Sequence, residues 1–410
     1  MALLSYLTAN SVWASSFRYR DYRLLWASTV VQSIGMGMEF VALGWLVLEL
    51  TDSAFMVGVA SAARMAPFFF LGIFAGAVAD RVERRLFLRW ITLAGSAISG
   101  ITAFVLFRGL EQVWPVIALT SGMGCVWAFT MTVRQAYTFD IVGPEIALNG
   151  LSLTAFSQRL GGVFGALAGG FIIETVGIDG QYLAISAMYA LTAVVLLFTR
   201  EAGQSAIATP DSVWKNLVGY FRLLGGNRTL MLLMMLAAIT EVFGFTHQSL
   251  LPVLARDELD MGPSGLGIMG AFRQGGGMIG LIFLASLKDF RHKGMAMFVL
   301  AAGFGLGQMA FSLADDVAVF IVSLVVVNAC ASAVDTLYKM LMQSNVSNEE
   351  RGRAMGSWVL SIGVAPVGHI GIGAMASAFG APGALLVNGS ILLGVSALTA
   401  IGMPKMRRLE

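Results

Sequence analysis

Ten ionisable side chains lie inside stretches otherwise built from apolar residues: Glu39, Arg64, Arg134, Arg159, Glu241, His247, Arg273, Asp335, Lys339 and His369. If those stretches cross a bilayer, a charge at mid-depth costs at least ~2.5–3.5 kcal/mol, so each one needs a partner or a task. Two kinds of chemistry suit such a set: proton exchange and the recognition of a charged solute. Dehydration favours a protonated carboxyl and a neighbouring guanidinium favours the ionised form, so a carboxylate alternating between those settings takes up and releases a proton. Glu39 is the first candidate for that exchange and Glu241 the second, with His247 as a relay near neutral pH. A plainer reading stands beside each: a static Glu39–Arg64 ion pair, and a histidine that is merely hydrogen-bonded. Asp335 and Lys339 are four residues apart, share one helical face and can pair.

The elements that must carry these residues are membrane helices. The chain has 410 residues, of which 57% are hydrophobic and 12% charged, and its mean hydropathy is +0.78. A soluble chain carries roughly 25% charged residues, so the composition excludes an ordinary soluble domain. Apolar runs occur near 24–49, 54–78, 86–107, 113–137, 149–174 and 180–199, and again near 229–254, 264–287, 294–314, 317–342, 354–379 and 382–403. Each is long enough to cross ~30 Å of hydrocarbon as a helix, and too long for a barrel strand. The fold class is therefore all-α integral membrane, with twelve transmembrane helices. The polar stretch over 201–227 separates an N-terminal six-helix bundle at 1–200 from a C-terminal one at 228–410. The halves repeat one another. Gly58 matches Gly267, Arg64 matches Arg273 and Asp80 matches Asp289 at an offset of 209 residues, while Cys125 matches Cys330 and Arg134 matches Lys339 at 205. The two cysteines sit in apolar runs and are read as free thiols.

Basic residues set the orientation. Arg18, Arg20, Arg23, Arg81, Arg84, Arg85, Lys288, Arg291, Lys293, Arg351, Arg353, Lys405, Arg407 and Arg408 all fall on the side of the termini. Acids such as Asp52, Glu111, Asp179, Asp257, Glu258, Asp260, Asp315 and Asp316 dominate the other side. The excess of Lys and Arg places both termini in the cytoplasm.

Residues 76–85 compress Gly76, Asp80, Arg81, Arg84 and Arg85 into one short loop, and residues 285–294 echo it with Asp289. The spacing resembles the signature loop between helices 2 and 3 of the major facilitator superfamily. The chain as a whole is similar to the drug:proton-antiporter-like branch that includes macrolide efflux proteins and enterobactin exporters. Two further segments carry that likeness: residues 17–26, entering helix 1, and residues 133–170. Within the latter, Gly161, Gly165, Gly169 and Gly170 resemble the exporters' glycine motif, with Ala166 where the family usually has proline.

The resemblance implies two pseudo-symmetric six-helix bundles with helices 1 and 7 lining a central cavity. It implies a substrate cavity holding Glu39, Arg64, Arg159, Glu241, Phe243 and Arg273. It also implies a conformational gate built from Gly76, Asp80, Arg81, Arg84, Arg134, Asp140 and Asp289, with Asp80, Arg134 and Asp140 in one charge network in the outward-open state. Asp335 and Lys339 join the gate as a pair suited to helix packing more than to substrate contact.

No G-x-x-x-x-G-K-[ST], H-E-x-x-H or G-x-S-x-G pattern and no metal-spaced Cys/His cluster occurs, so an ATP-driven engine, an enzyme, a cofactor and a bound metal are not expected. The function this implies is a proton-coupled antiporter exporting amphipathic small molecules such as drugs by alternating access. The alternative is a specific exporter of an organic anion such as a siderophore, or a lysolipid transporter. A non-transporting receptor of the same fold is the rival class. The expected partners are the lipid bilayer, a small-molecule substrate and protons, with no nucleic acid. A monomer in a bacterial inner membrane is the expected setting.

Overall fold

The computed structural model describes residues 12–79, 82–109, 112–203, 221–287, 290–314, 316–347 and 350–410, with only the backbone at 12–14, 72–77, 79, 352 and 353. Asp80, Arg81 and Asp289 of the expected gate, and residues 204–220 of the linker, lie outside the described residues. Gly76 falls within a helix described by its backbone alone.

Among the described residues, twelve helices are long and apolar enough to cross a membrane. In chain order they are α1 (Arg20–Thr51), α2 (Ala54–Ala79), α3 (Arg84–Phe107), α4 (Val113–Val142), α5 (Ala147–Val176) and α6 (Ile178–Leu197). Then follow α7 (Arg228–Glu258), α8 (Pro263–Ser286), α9 (Lys293–Ser312), α10 (Val317–Ser344), α11 (Arg351–Gly363 continuing as Ala365–Phe379) and α12 (Ala381–Gly402). Their ends carry recognisable stop and start signals. Asp316 caps α10 by accepting from the amides of Ala318 and Val319 at 2.8 and 3.3 Å, and Asn227 caps α7 through the amide of Leu230 at 3.0 Å; each supplies an acceptor to an orphan helix donor. Gly143, Gly177 and Gly380 close α4, α5 and α11 with positive φ, a conformation open to glycine without a Cβ clash.

The helices form two pseudo-symmetric six-helix bundles, α1–α6 and α7–α12. Trp90, Phe107, Phe171, Ile282 and Leu398 stand exposed on their outer faces, where hydrocarbon is the natural neighbour. The bundles meet along α2 against α11 and α5 against α8. A Cβ on Gly267 would lie 2.6 Å from the carbonyl oxygen of Ala166 and 3.2 Å from Cα of Gly170. Across the other seam, a Cβ on Gly58 would meet the carbonyl of His369 and lie 3.2 Å from Cα of Gly373. These are one contact made twice with the halves exchanged, so the duplication visible in sequence reappears as a matched pair of close backbone crossings.

The glycine motif of α5 is two-faced. Gly161, Gly165 and Gly169 pack on α1, against Ser33, Ile34 and Met38, within the first bundle. Gly170 and Ala166 instead face α8 across the seam, Gly170 against Pro263 and Ser264.

Two helices depart from the continuous runs read in the sequence. In α7 the turn Thr240–Gly244 is π-helical and Phe245–Leu250 is 3-10, next to Gly244 and Pro252. The carbonyls freed there are answered by side chains. Gln308 Nε2 donates to the oxygens of Phe243 and Gly244 at 3.2 and 2.9 Å, and Nδ1 of His247 sits 2.8 Å from the Gly244 oxygen. In a bilayer such breaks persist only where protein groups re-satisfy the backbone. α11 breaks at Val364, between Gly363 and Pro366, because proline cannot donate to the preceding turn.

A candidate transport cavity

Between the bundles lies a cavity of 440 Å³ lined by α1, α2, α4, α5, α7, α8, α10 and α11. One end is latched by bonds between the halves. Arg256 Nη2 pairs with Asp52 and its Nη1 donates to the Leu48 carbonyl at 3.4 Å. The amide of Phe55 donates to Ser377 Oγ at 3.0 Å, and Ser264 Oγ bonds the Glu174 carboxylate. These latches lie at the end opposite the chain termini.

The structure gathers Arg64, Arg159, Glu241 and Arg273 on the wall of this cavity, joined by Asp335, Lys339 and His369. Glu39 is behind the wall. It is 4% exposed, and its two carboxylate oxygens accept from Arg64 Nε at 3.0 Å and Nη2 at 3.2 Å. The fork-to-fork geometry is the strongest form of an ion pair, and it makes Glu39 a partner of Arg64 and not a cavity group. Phe243 also misses the wall, and Phe245 takes its place. A π turn carries one extra residue, which rotates every later side chain by about 100° and changes which of them face inward.

His247 is 0% exposed and outside the cavity, held between the Gly244 oxygen and Asn328, whose Nδ2 is 3.4 Å from Nε2. Its position answers a broken backbone and offers no path to solute. His369 does reach the cavity, and its Nδ1 is 2.6 Å from Ser249 Oγ.

Asp335 and Lys339 pair as their spacing suggests, and the pair also reaches the cavity wall. Their ion pair measures 2.8 Å, Trp358 Nε1 donates to the second Asp335 oxygen at 2.7 Å, and Lys339 Nζ stands 4.0 Å from the centroid of the Trp358 ring. All three line the cavity. Glu241 lies within electrostatic range of Asp335 and Lys339, yet it makes no hydrogen bond or ion pair among the described residues. Arg159 Nη1 donates to Gln274 Oε1 at 2.9 Å and Nη2 to Ser332 Oγ at 3.3 Å, both across the seam. Arg273 bonds Gln248 Oε1 and lies 4.3 Å over the ring of Phe40, a cation–π arrangement.

Of the charge network expected near the termini in the outward-open state, Arg134 and Asp140 are described, here in a structure latched at the opposite end. Asp140 pairs with Arg84 at 2.6 Å. Arg134 is 2% exposed and is held by α1, through Ser28 Oγ at 3.4 Å, Thr29 Oγ1 and Gln32 Oε1. Six residues of helix separate 134 from 140 by roughly 9 Å along the axis and place them on different faces, so one acid cannot serve both positions. Nearby, Asp21 Oδ2 accepts from the amides of Arg200 and Glu201, each at 2.6 Å, and Tyr137 donates to the Glu201 carbonyl at 2.6 Å. The chain leaving α6 is thereby tied to the first bundle.

Sequence reasoning passed over the uncharged part of the wall: Phe40, Phe68, Trp127, Gln248, Gln274 and Trp358. The glutamines carried a usable signal, since an amide in an apolar run is itself expensive without a partner. The aromatic residues carried none.

The model of the transmembrane secretion effector family matches residues 10–410. The staphyloferrin A transporter of Staphylococcus aureus is 22% identical over 382 residues, covering 92% of this chain and 93% of that protein. The multidrug efflux pump Tap of Mycobacterium tuberculosis is 24% identical over 402 residues, covering 94% of each. The crystal structure of the nucleoside transporter NupG superposes with a TM-score of 0.76 at 13% identity, over 95% of this chain and 100% of that one, which is a likeness of fold alone.

Proposed function

Because this chain belongs to the transmembrane secretion effector family of the major facilitator superfamily, a family of membrane transporters and not of enzymes, we propose that it is a proton-coupled antiporter exporting amphipathic small molecules, drugs among them, across a bacterial inner membrane. The observation that carries the reading is Glu241: a carboxylate without a hydrogen-bond or ion-pair partner among the described residues, on the broken stretch of α7 and facing a central cavity latched at one end. A 3-10 stretch inside a helix, as follows the π turn here, often marks a hinge, so a carboxyl there is placed to change its surroundings as the bundles rock. Glu39 is the weaker candidate, since its forked bond to Arg64 keeps it behind the cavity wall.

In this reading both termini are cytoplasmic, as the basic residues argue, and the latched end faces outward. Substrate enters from the cytoplasm among Phe40, Phe68, Trp127 and Trp358, whose rings offer an adaptable apolar surface. A proton arriving at Glu241 from outside, after the Asp52–Arg256 latch has parted, returns the carrier inward. Residues 1–200 and 228–410 act as two rocking units joined by the linker 201–227. One chain supplies both walls of the cavity, so a monomer suffices.

The test uses purified protein in liposomes with a trapped pH dye. Addition of a transported drug is expected to move protons in wild type and in Glu39→Gln, provided the latter folds, and not in Glu241→Gln. Proton movement that survives in Glu241→Gln removes the assignment. Drug flux without any proton movement in wild type removes the coupling.

A further inference from the structure

We propose that the solute recognised by this cavity is an amphipathic organic anion, its negative group held between Arg159 of one bundle and Arg273 of the other. The inference rests on reading the cavity as the transport site, and it adds the charge of what is carried.

The argument is an inventory of charges on the wall. Arg64 is answered by the Glu39 carboxylate behind it. Lys339 is answered by Asp335, whose other oxygen takes the Trp358 indole. Asp335 is within electrostatic range of Arg159, but both its oxygens already have donors. Glu241, the remaining acid, lies toward Asp335 and Lys339. Arg159 and Arg273 therefore have no carboxylate of their own among the described residues. Their acceptors are the neutral oxygens of Gln274, Ser332 and Gln248.

Two further observations point to a ligand. The buried Nε of Arg273 has no acceptor among the described residues, a condition that is rare for a charged donor in a folded interior. Arg273 also lies within electrostatic range of Arg159, so two cations without a carboxylate share one dehydrated space, and like charges at short range disfavour one another unless an anion joins them. A carboxylate or sulfonate would replace amide oxygens with a charge-assisted, forked partner. The Phe40 ring under Arg273 and the indoles of Trp127 and Trp358 supply the apolar surface for the rest of such a molecule.

Three probes with one fluorophore separate the charge from the apolar body: dansylglycine, its methyl ester and dansylcadaverine. Binding to the detergent-purified full chain is read by energy transfer from the cavity tryptophans to the dansyl group, which avoids passive crossing of a membrane. Dansylglycine is expected to bind at least tenfold tighter than either relative. Arg159→Gln and Arg273→Gln should each weaken it about tenfold and leave the ester unchanged. Arg159→Glu, checked for monodispersity by size exclusion, should shift the preference to dansylcadaverine. Equal binding of the three, a preference for the amine in wild type, or no binding of dansylglycine overturns the proposal. An anion preference in a protein whose proton movement ignores Glu241→Gln would leave this inference standing and remove the coupling assignment alone.

Discussion

The Glu39–Arg64 pair allows a quantitative test of what a membrane-buried charge is for. Its side chains are 5% and 18% exposed, and two bonds of 3.0 and 3.2 Å join them. Glu39→Ala leaves a guanidinium without a counter-charge in a low-dielectric setting, and Arg64→Ala leaves a carboxylate, so each single change should cost about 3–5 kcal/mol. Neutralising both together, as Glu39→Ala with Arg64→Ala, removes the stranded charge and should cost less than either single change. The interaction term of the cycle is then large and opposite in sign to the single losses. The assay is thermal unfolding of detergent-purified protein followed by tryptophan fluorescence. At roughly 2–4 °C per kcal/mol for a cooperative unit of 150–250 residues, each single variant should melt several degrees below the double. Additive losses would refute the reasoning. So would an unchanged melting temperature in Glu39→Ala combined with lost proton coupling, which would return Glu39 to the role of proton carrier.

Two further consequences concern the seams between the bundles. Gly58→Ala and Gly267→Ala each drive a methyl group into a backbone carbonyl of the other half, at His369 and Ala166. Both should part the latched end, seen as a longer distance between spin labels at Val176 and Phe379, whereas Gly275→Ala, where a methyl meets nothing, should leave that distance unchanged. An unaltered distance in both seam variants would show that these crossings do not hold the state. Arg256→Ala breaks an ion pair whose Asp52 side chain is 84% exposed, so melting should shift by less than about 1 kcal/mol. A larger loss would mean that the latch also supports the fold.

Much of the architecture is local and therefore legible in the chain itself. Hydrocarbon thickness demands runs of a certain length and polarity, so twelve spans, an all-α fold and the division into halves follow from composition along the sequence. The duplication was legible because Gly58/Gly267 and Arg64/Arg273 keep their type at one offset, and the structure gives each glycine the same crossing. Which residues deserved attention was legible too, since any charge among apolar neighbours is conspicuous. Their assignments were not. Whether Glu39 or Glu241 faces the cavity depends on Arg64, 25 residues away on another helix, and on a π turn that re-phases α7. Whether Asp335 and Lys339 pack or line the wall depends on Trp358. That Arg134 is held by Ser28, Thr29 and Gln32 depends on how α1 meets α4. Hydropathy is a property of each segment alone, but the partner of a buried charge is chosen by helices that meet only after folding, and that choice belongs to the tertiary structure.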